Sequence, residues 1–231
     1  MLTVHGLSFA YGAIQVLDDI SMVVPAGRIT CILGRNGAGK TTLLMNLMGL
    51  LTPTSGAVHM DDTDLTGMSA DKRSTLGLGL VPQGRRIFSK LTVEENLRVA
   101  LAARGRARAP VPDDIYEMFP ALEALSGRRG GDLSGGQQQQ LAIARALVAD
   151  PKVLLLDEPT EGIQPNVIQQ IGEVLKRLAG ERGMAIVMVE QYLGFVKEIG
   201  DRFCLMDHRR VVASGLTSDL TVDLVHRHLT V

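Results

Sequence analysis

The stretch Gly34-Arg35-Asn36-Gly37-Ala38-Gly39-Lys40-Thr41 has the composition and spacing to hold a polyphosphate. It fits G-x-x-x-x-G-K-[ST] in full. Its glycines let the backbone curl until successive N–H groups point into one concavity. A helix beginning at the loop's end adds positive potential there. Lys40 is placed to bridge the β- and γ-phosphates. The Thr41 hydroxyl suits Mg²⁺, which prefers octahedral oxygen ligands. Thr42 continues the same phosphate-binding stretch. A second run, Val153-Leu154-Leu155-Leu156-Asp157-Glu158, is apolar until it ends in two carboxylates. Its apolar part reads as a strand buried on both faces, as in a parallel sheet. Ligands of such sheets sit at the carboxyl ends of the strands. Asp157 is thus placed to hold Mg²⁺, and Glu158 to orient or deprotonate an attacking water. Alone, Glu158 reads as a loop carboxylate; between this strand and Pro159 the catalytic reading is preferred.

The elements that must carry these groups are legible in outline. Residues 3–9 and 16–24 read as strands around a Tyr-Gly-Ala turn, and 28–33 as a short β run ending at a glycine. Residues 40–48 have helical spacing; 57–60 and 78–81 are short strand candidates. From Thr92, a plausible N-cap with Glu95 three residues on, the pattern turns helical. Residues 104–112 (RGRARAPVP) read as a solvated loop and 113–125 as a helix. Glycine-rich 127–136 precedes a helix over 137–148. Strand and helix then alternate through 153–156, 166–178, 184–189, 192–199, 203–206 and 211–213. The ends read as α/β and the middle, about 94–148, as helical. The spacing predicts a parallel-sheet core with a helical insertion.

Composition narrows the function classes. The 231 residues are 45% hydrophobic and 21% charged, with 24 basic and 25 acidic side chains. A net charge of −1 excludes bulk attraction to nucleic acid or anionic lipid as the organising feature. Aromatics are only 3%, with no Trp, which argues against a stacking platform for single strands. No apolar run has a bilayer-spanning length and no signal peptide is expected. Cys31 and Cys204 sit in apolar runs and read as buried free thiols of a reducing compartment.

A third motif narrows the class further. Leu133-Ser134-Gly135-Gly136-Gln137, followed by QQQLAIARAL, resembles the signature of ABC-type ATPases. The phosphate loop, Gln83 in VPQ, the signature and the Asp157–Glu158 pair follow one another at the family's spacing. The resemblance covers essentially the whole chain. It implies one ATPase domain over 1–231: an α/β, RecA-like P-loop NTPase core, an N-terminal antiparallel β element and a helical subdomain at about 94–148. It implies ATP and Mg²⁺ as cofactors. Ser134 through Gln137 would form a second anion cradle that closes on the nucleotide of a facing subunit. Partners would be a second ABC ATPase, transmembrane permease subunits and, indirectly, a periplasmic or extracellular solute-binding protein, with no nucleic acid. The expected location is the cytoplasmic face of the inner membrane, peripherally bound.

Further roles come from the resemblance position by position. Tyr11 matches an aromatic residue that stacks on adenine, although an ordinary turn aromatic remains open. Gln83 matches a glutamine that touches Mg²⁺ and the water and reports nucleotide state to the helical part. Residues 84–93 (GRRIFSKLTV) would lie at the face meeting a membrane partner. Two positions depart from the family. Gln164 stands where an Asp is usual. Gln191 stands where a His usually contacts the γ-phosphate, and it can hydrogen-bond but carries no proton charge. Both departures favour a heterodimer. Thr160-Glu161-Gly162-Ile163-Gln164-Pro165 is more similar to urea uptake ATPases than to the branched-chain amino acid ones, so urea is the expected solute. The amino-acid importer is the alternative. Soluble ABC ATPases acting on ribosomes or DNA, and P-loop kinases, fit less well.

Other chemistry-bearing residues are left as structure. His5, His59, His208, His226 and His228 lack ligand spacing. Asp61-Asp62-Thr63-Asp64 reads as a turn. Met45, Met48, Met184 and Met188 are expected in the core.

Overall fold

The computed structural model describes residues 1–103, 105 and 108–229. Strands β1 (Leu2–Tyr11) and β2 (Ile14–Val24) form a hairpin, and β3 (Ile29–Gly34) leads through the glycine loop into α1 (Lys40–Met48). Next come β4 (Ser55–Met60), β5 (Thr63–Asp64), α2 (Ala70–Leu76) and β6 (Leu78–Val81). Four helices follow: α3 (Val93–Ala103), α4 (Asp113–Met118), α5 (Pro120–Ala124) and α6 (Gly135–Leu147). The chain then alternates through β7 (Val153–Asp157), α7 (Pro165–Arg182), β8 (Ala185–Val189), α8 (Leu193–Ile199), β9 (Arg202–Asp207), β10 (Arg210–Leu216) and α9 (Val222–Leu229).

Two sheets result. One is antiparallel, in the order β2-β1-β4-β5; the other is six-stranded, in the order β10-β9-β3-β8-β7-β6. Within the second, β9, β3, β8, β7 and β6 run parallel and β10 closes the edge antiparallel. The interiors of β7 and β8 are apolar because each divides its side chains between two cores. On β7, Leu154 and Leu156 face the helices α6, α7 and α8, while Val153 and Leu155 face α1 and the antiparallel sheet. On β8, Ile186 and Met188 take the first side, and Ala185, Val187 and Val189 the second. Period-two alternation without polarity change is what a sheet covered on both faces requires.

Among the described residues of 93–147, the regular elements are α3 to α6 and a short 3-10 turn at Gly130–Asp132. Thr92 and Glu95 close a reciprocal cap at the start of α3, at 3.1 and 2.7 Å. The helix expected over 113–125 is two helices. Phe119, at φ −133° and ψ 70°, leaves the helical region because Pro120 follows it, and proline disfavours α geometry in the residue before it. Three residues of the expected 104–112 loop (104, 106 and 107) lie outside the described residues.

Other expectations are corrected in detail. Met45 is only half-buried, while Met48, Met184 and Met188 are buried. Helix α7 extends to Arg182, four residues past the expected end, on an exposed and charged last turn. Neither α2 nor α9 is read from the sequence: α2 has no apolar stripe, and Arg73 is its one buried side chain. Arg73 donates to the carbonyls of Asn46 and Leu47, both at 2.7 Å, at the C-terminal end of α1. That anchors the helix whose other end is the glycine loop. Cys31 and Cys204 are buried free thiols, and burial pushes the Cys204 thiol up to about 11. His228 meets Asp207 at 3.0 Å, a pairing that sequence spacing does not reveal; the side chain of His226 lies outside the described ones. Among the described residues, no helix is long and apolar enough to cross a membrane.

Candidate nucleotide site

The glycine loop is shaped by close approaches that exclude larger residues. Gly39, the N-cap of α1, has φ +96°, and a β-carbon there would sit 2.8 Å from the Val16 carbonyl oxygen. At Gly34 a β-carbon would lie 2.5 Å from the Met206 carbonyl oxygen. No side chain caps α1, so its first N–H groups are presented by backbone alone. Lys40 is buried and its Nζ donates to the carbonyls of Gly34 (2.8 Å) and Arg35 (3.0 Å). Burial lowers the Lys40 pKa, opposed by the carboxylates of Glu158 and Asp157.

The parallel register brings the ends of β3, β8 and β7 to one edge of the sheet. Asp157 closes β7 with its carboxyl buried. Burial pushes its pKa above the usual carboxylate range, and a hydrogen bond from the Thr41 side chain works against this. Among the described residues, Asp157 Oδ1 has no hydrogen-bond partner. An orphaned, buried carboxylate oxygen is costly unless a cation meets it. Asp157, the Thr41 hydroxyl and the Gln83 amide oxygen are hard oxygen donors, so the residues present fit Mg²⁺.

Glu158, one residue beyond the strand, has φ +49°, and its N–H donates to Val189 O at 3.0 Å. This left-handed turn swings its side chain across the edge of the sheet. Gln83 Nε2 donates to Glu158 Oε2 at 3.0 Å and to Glu161 Oε2 at 3.1 Å. From the other side, Gln191 Nε2 donates to Glu158 Oε1 at 2.5 Å and to Asn36 Oδ1 at 2.9 Å. One amide thus joins the glycine loop to the glutamate.

These groups surround a cleft of about 810 Å³. Tyr11, Asn36, Gly37, Gly39, Lys40, Thr41, Thr42, Gln83, Glu158 and Gln191 all line it. Gly34, Arg35, Ala38 and Asp157 do not; Asp157 opens with Thr41 and Gln83 onto an adjoining groove of about 590 Å³. Tyr11 is exposed and meets Phe9 edge-on, with ring centroids 4.8 Å apart.

Ser134, Gly135, Gly136 and Gln137 do not line the cleft. They begin α6, where Ser134 Oγ accepts from Gln137 N at 3.3 Å and Ser134 N donates to Gln137 Oε1 at 2.9 Å. The segment after Gln83 reaches both places. Gly84, Arg85 and Arg86 have successive φ values of +75°, +67° and +45°. Arg85 then donates to Gln138 Oε1 on α6 (3.3 Å) and to Glu161 O beside the cleft (3.4 Å).

Sequence reasoning missed Thr160, Glu161, Glu190 and Tyr192, which also line the cleft. For Glu190 a signal existed: an acid immediately after a wholly apolar run. For Glu161 and Arg85 the partners are far away in sequence, and no local pattern marks them. The Gln164 departure has a local consequence. Gln164 occupies the N-cap of α7 without a side-chain cap hydrogen bond, and only Pro165 at the first turn favours that helix start.

A parallel sheet with a glycine loop between β3 and α1, and an acid pair ending β7, defines a P-loop nucleotide hydrolase. The ABC transporter family profile matches residues 17–161, and the chain belongs to that family; its domain is an ATPase. The high-affinity branched-chain amino acid transport ATP-binding protein BraG of Pseudomonas aeruginosa is 41% identical over 213 residues, 92% of this chain and 91% of that protein. The probable branched-chain amino acid transport ATP-binding protein LivF of Archaeoglobus fulgidus is 36% identical, over 95% of this chain and 94% of that protein. Among solved structures, a dimeric ATP-binding cassette with ADP and Pi, in a post-hydrolysis state, has a TM-score of 0.83 at 25% identity. It spans 94% of this chain and 99% of that one.

Proposed function

We propose that this chain is the ATP-hydrolysing subunit of a membrane importer for branched-chain amino acids. The solute assignment is supported by the BraG and LivF likenesses, each running nearly end to end. The motor reading is carried by one observation: the glycine loop, Glu158 and Gln191 line a single cleft and are joined by the Gln191 amide. In this reading the 34–42 stretch holds the phosphates and Tyr11 stacks on adenine. Thr41, Gln83 and Asp157 would hold Mg²⁺, which when bound would supply charge neutralisation for the phosphates. Glu158 accepts the proton of the attacking water at Oε1 or Oε2, and Gln191 contacts the γ-phosphate by hydrogen bonding alone. Ser134–Gln137 serve the site of a facing subunit. ATP closes the pair only through contacts made better in the closed state. A second ABC ATPase of different sequence, permease subunits and, indirectly, a solute-binding protein complete the assembly at the cytoplasmic face of the inner membrane. The dimeric cassette among the structural relatives supports the pairing, and the Gln164 and Gln191 departures favour unlike subunits.

Urea is the second reading. It rests on residues 160–165, the stretch VPQGRRIF (81–88) and a general likeness, and the comparisons favour the amino-acid alternative. The test is uptake of labelled leucine and labelled urea in a deletion strain, complemented with wild type or Glu158→Gln. Loss of leucine uptake alone supports the proposal; loss of urea uptake alone replaces the solute; loss of neither overturns the transport reading. In the purified complex, Glu158→Gln is expected to retain ATP binding while turnover falls about 100-fold or more, the scale of a lost general base. Unchanged hydrolysis removes Glu158 from the reaction.

A further inference from the structure

Glu190 has no role in the scheme above, yet it is the most completely satisfied carboxylate at the cleft. It follows β8 directly, is 3% exposed, and its own N–H donates to Ile32 O at 3.2 Å. Its two oxygens serve two different segments. Oε1 accepts from Thr160 N at 3.1 Å and Thr160 Oγ1 at 2.5 Å. Oε2 accepts from Gln191 N at 2.8 Å and Tyr192 N at 3.0 Å. We propose that Glu190 is a positioning residue for ATP hydrolysis: it staples the turn carrying Glu158 to the loop carrying Gln191, and so sets the Gln191 amide against Glu158.

The chemistry of the position is specific. Four donors converge on one side chain, and only an ionised carboxylate offers acceptors alone at both ends. Glutamine has nearly the same shape but would turn an NH₂ group toward one pair of those donors. Charge-assisted bonds of this kind are shorter and stronger than neutral ones. They are also needed here. Glu158 sits in a left-handed backbone at φ +49°, and such strain persists only where the surroundings over-determine it. The Glu158 N–H is tied to Val189 O, one residue before Glu190, and Thr160, two residues after Glu158, is tied to Glu190 itself. Both segments that meet across the cleft therefore share one anchor. Misplacing a reacting group by about 1 Å can cost about 100-fold in rate while binding is retained.

The inference rests on Glu158 and Gln191 acting in hydrolysis, so Glu158→Gln is measured in parallel: persistent hydrolysis there defeats that assignment, whatever Glu190 does. The test uses the full chain assembled with its partner subunits and compares wild type, Glu190→Gln, Glu190→Asp, Thr160→Val and the Glu190→Gln/Thr160→Val double variant. Glu190→Gln is expected to lower kcat about 10–100-fold with KM for ATP changed less than about 3-fold, the split that marks positioning rather than binding. Glu190→Asp keeps the charge on a shorter stem and is expected to recover part of that kcat. The double variant should be no slower than Glu190→Gln within about 2-fold, because both changes break the same contact. If Glu190→Gln does not fold, Thr160→Val carries the test alone, with an expected kcat loss of roughly 3–10-fold, the scale of a net hydrogen bond. Unchanged kcat, a parallel loss of ATP affinity, or additive losses in the double variant would overturn the proposal.

Discussion

The glycine loop and the serine-glycine signature are both helix N-termini, and they solve the same electrostatic problem in opposite ways. At α1 the cap is Gly39, no side chain intervenes, and the N–H groups open into a cleft lined by Lys40, Glu158 and Gln191. At α6 the cap is Ser134, which with Gln137 forms a reciprocal box on an exposed surface away from that cleft. The first start is built by tertiary walls: β2 supplies Val16, β9 supplies Met206, and the loop fits between them. The second is built by its own four residues. The capping box of α6 satisfies N–H groups within its own first turn, whereas the first N–H groups of α1 have no side-chain cap and open to the cleft.

Gly39→Ala attacks the walled start and has the largest expected effect. A β-carbon at φ +96° against the Val16 carbonyl imposes about 1–3 kcal/mol of strain, so ATP affinity should fall roughly 10–100-fold in a titration with a fluorescent ATP analogue. Unaltered affinity would show that the loop's shape is not what holds the phosphates. Ser134→Ala attacks the self-contained start. It should cost about 1 kcal/mol of stability, or 2–4 °C in Tm, and slow hydrolysis by the assembled complex. Nucleotide binding by the isolated chain should not change; if it drops, the two helix starts serve one site and the contrast fails.

Helix α7 offers a third start with neither solution, and Gln164→Asp should supply the missing cap. A gain of about 0.5 kcal/mol, or roughly 1–2 °C, is expected in thermal unfolding. A lower Tm would mean that Gln164 is held by something other than its capping position. The smallest effect is expected at a helix end of opposite polarity. His228, in the last turn of α9, hydrogen-bonds Asp207 and holds that carboxyl below its ordinary value. A carboxylate with a depressed folded pKa stabilises the fold above its unfolded value, about pH 4, and loses that contribution as pH falls through the folded value. Asp207→Asn should therefore lower stability by a constant amount above about pH 4, with the gap to wild type closing below it, in urea unfolding across that range. A gap independent of pH down to the acid transition would place the effect elsewhere.

Legibility in the sequence followed the range of the interaction involved. The loop Gly34–Thr41, the strand ending at Asp157 and the Thr92–Glu95 and Ser134–Gln137 starts are local patterns, readable because each fixes its own backbone. The apolar spacing of 113–125 hides a break, because the effect of Pro120 on Phe119 outweighs it. Glu190 follows a legible strand, but nothing nearby in sequence indicates that Thr160 comes to its carboxylate. Arg85 was missed for the same reason: Gln138 and Glu161 lie 53 and 76 residues further along the chain.

The order of the amino acids alone determined that a polyphosphate loop, an acid-tipped buried strand and a glycine-rich helix start occur in one α/β chain. Backbone conformation and short-range capping need only neighbours, and neighbours are written in the sequence. The folded arrangement alone decided that Gln191 bridges Asn36 to Glu158, that one Asp157 oxygen finds no partner among the described residues, and that the signature residues do not line the cleft. Those facts depend on which strand lies beside which in the sheet, and that order comes from the burial of two apolar cores rather than from any local pattern of residues.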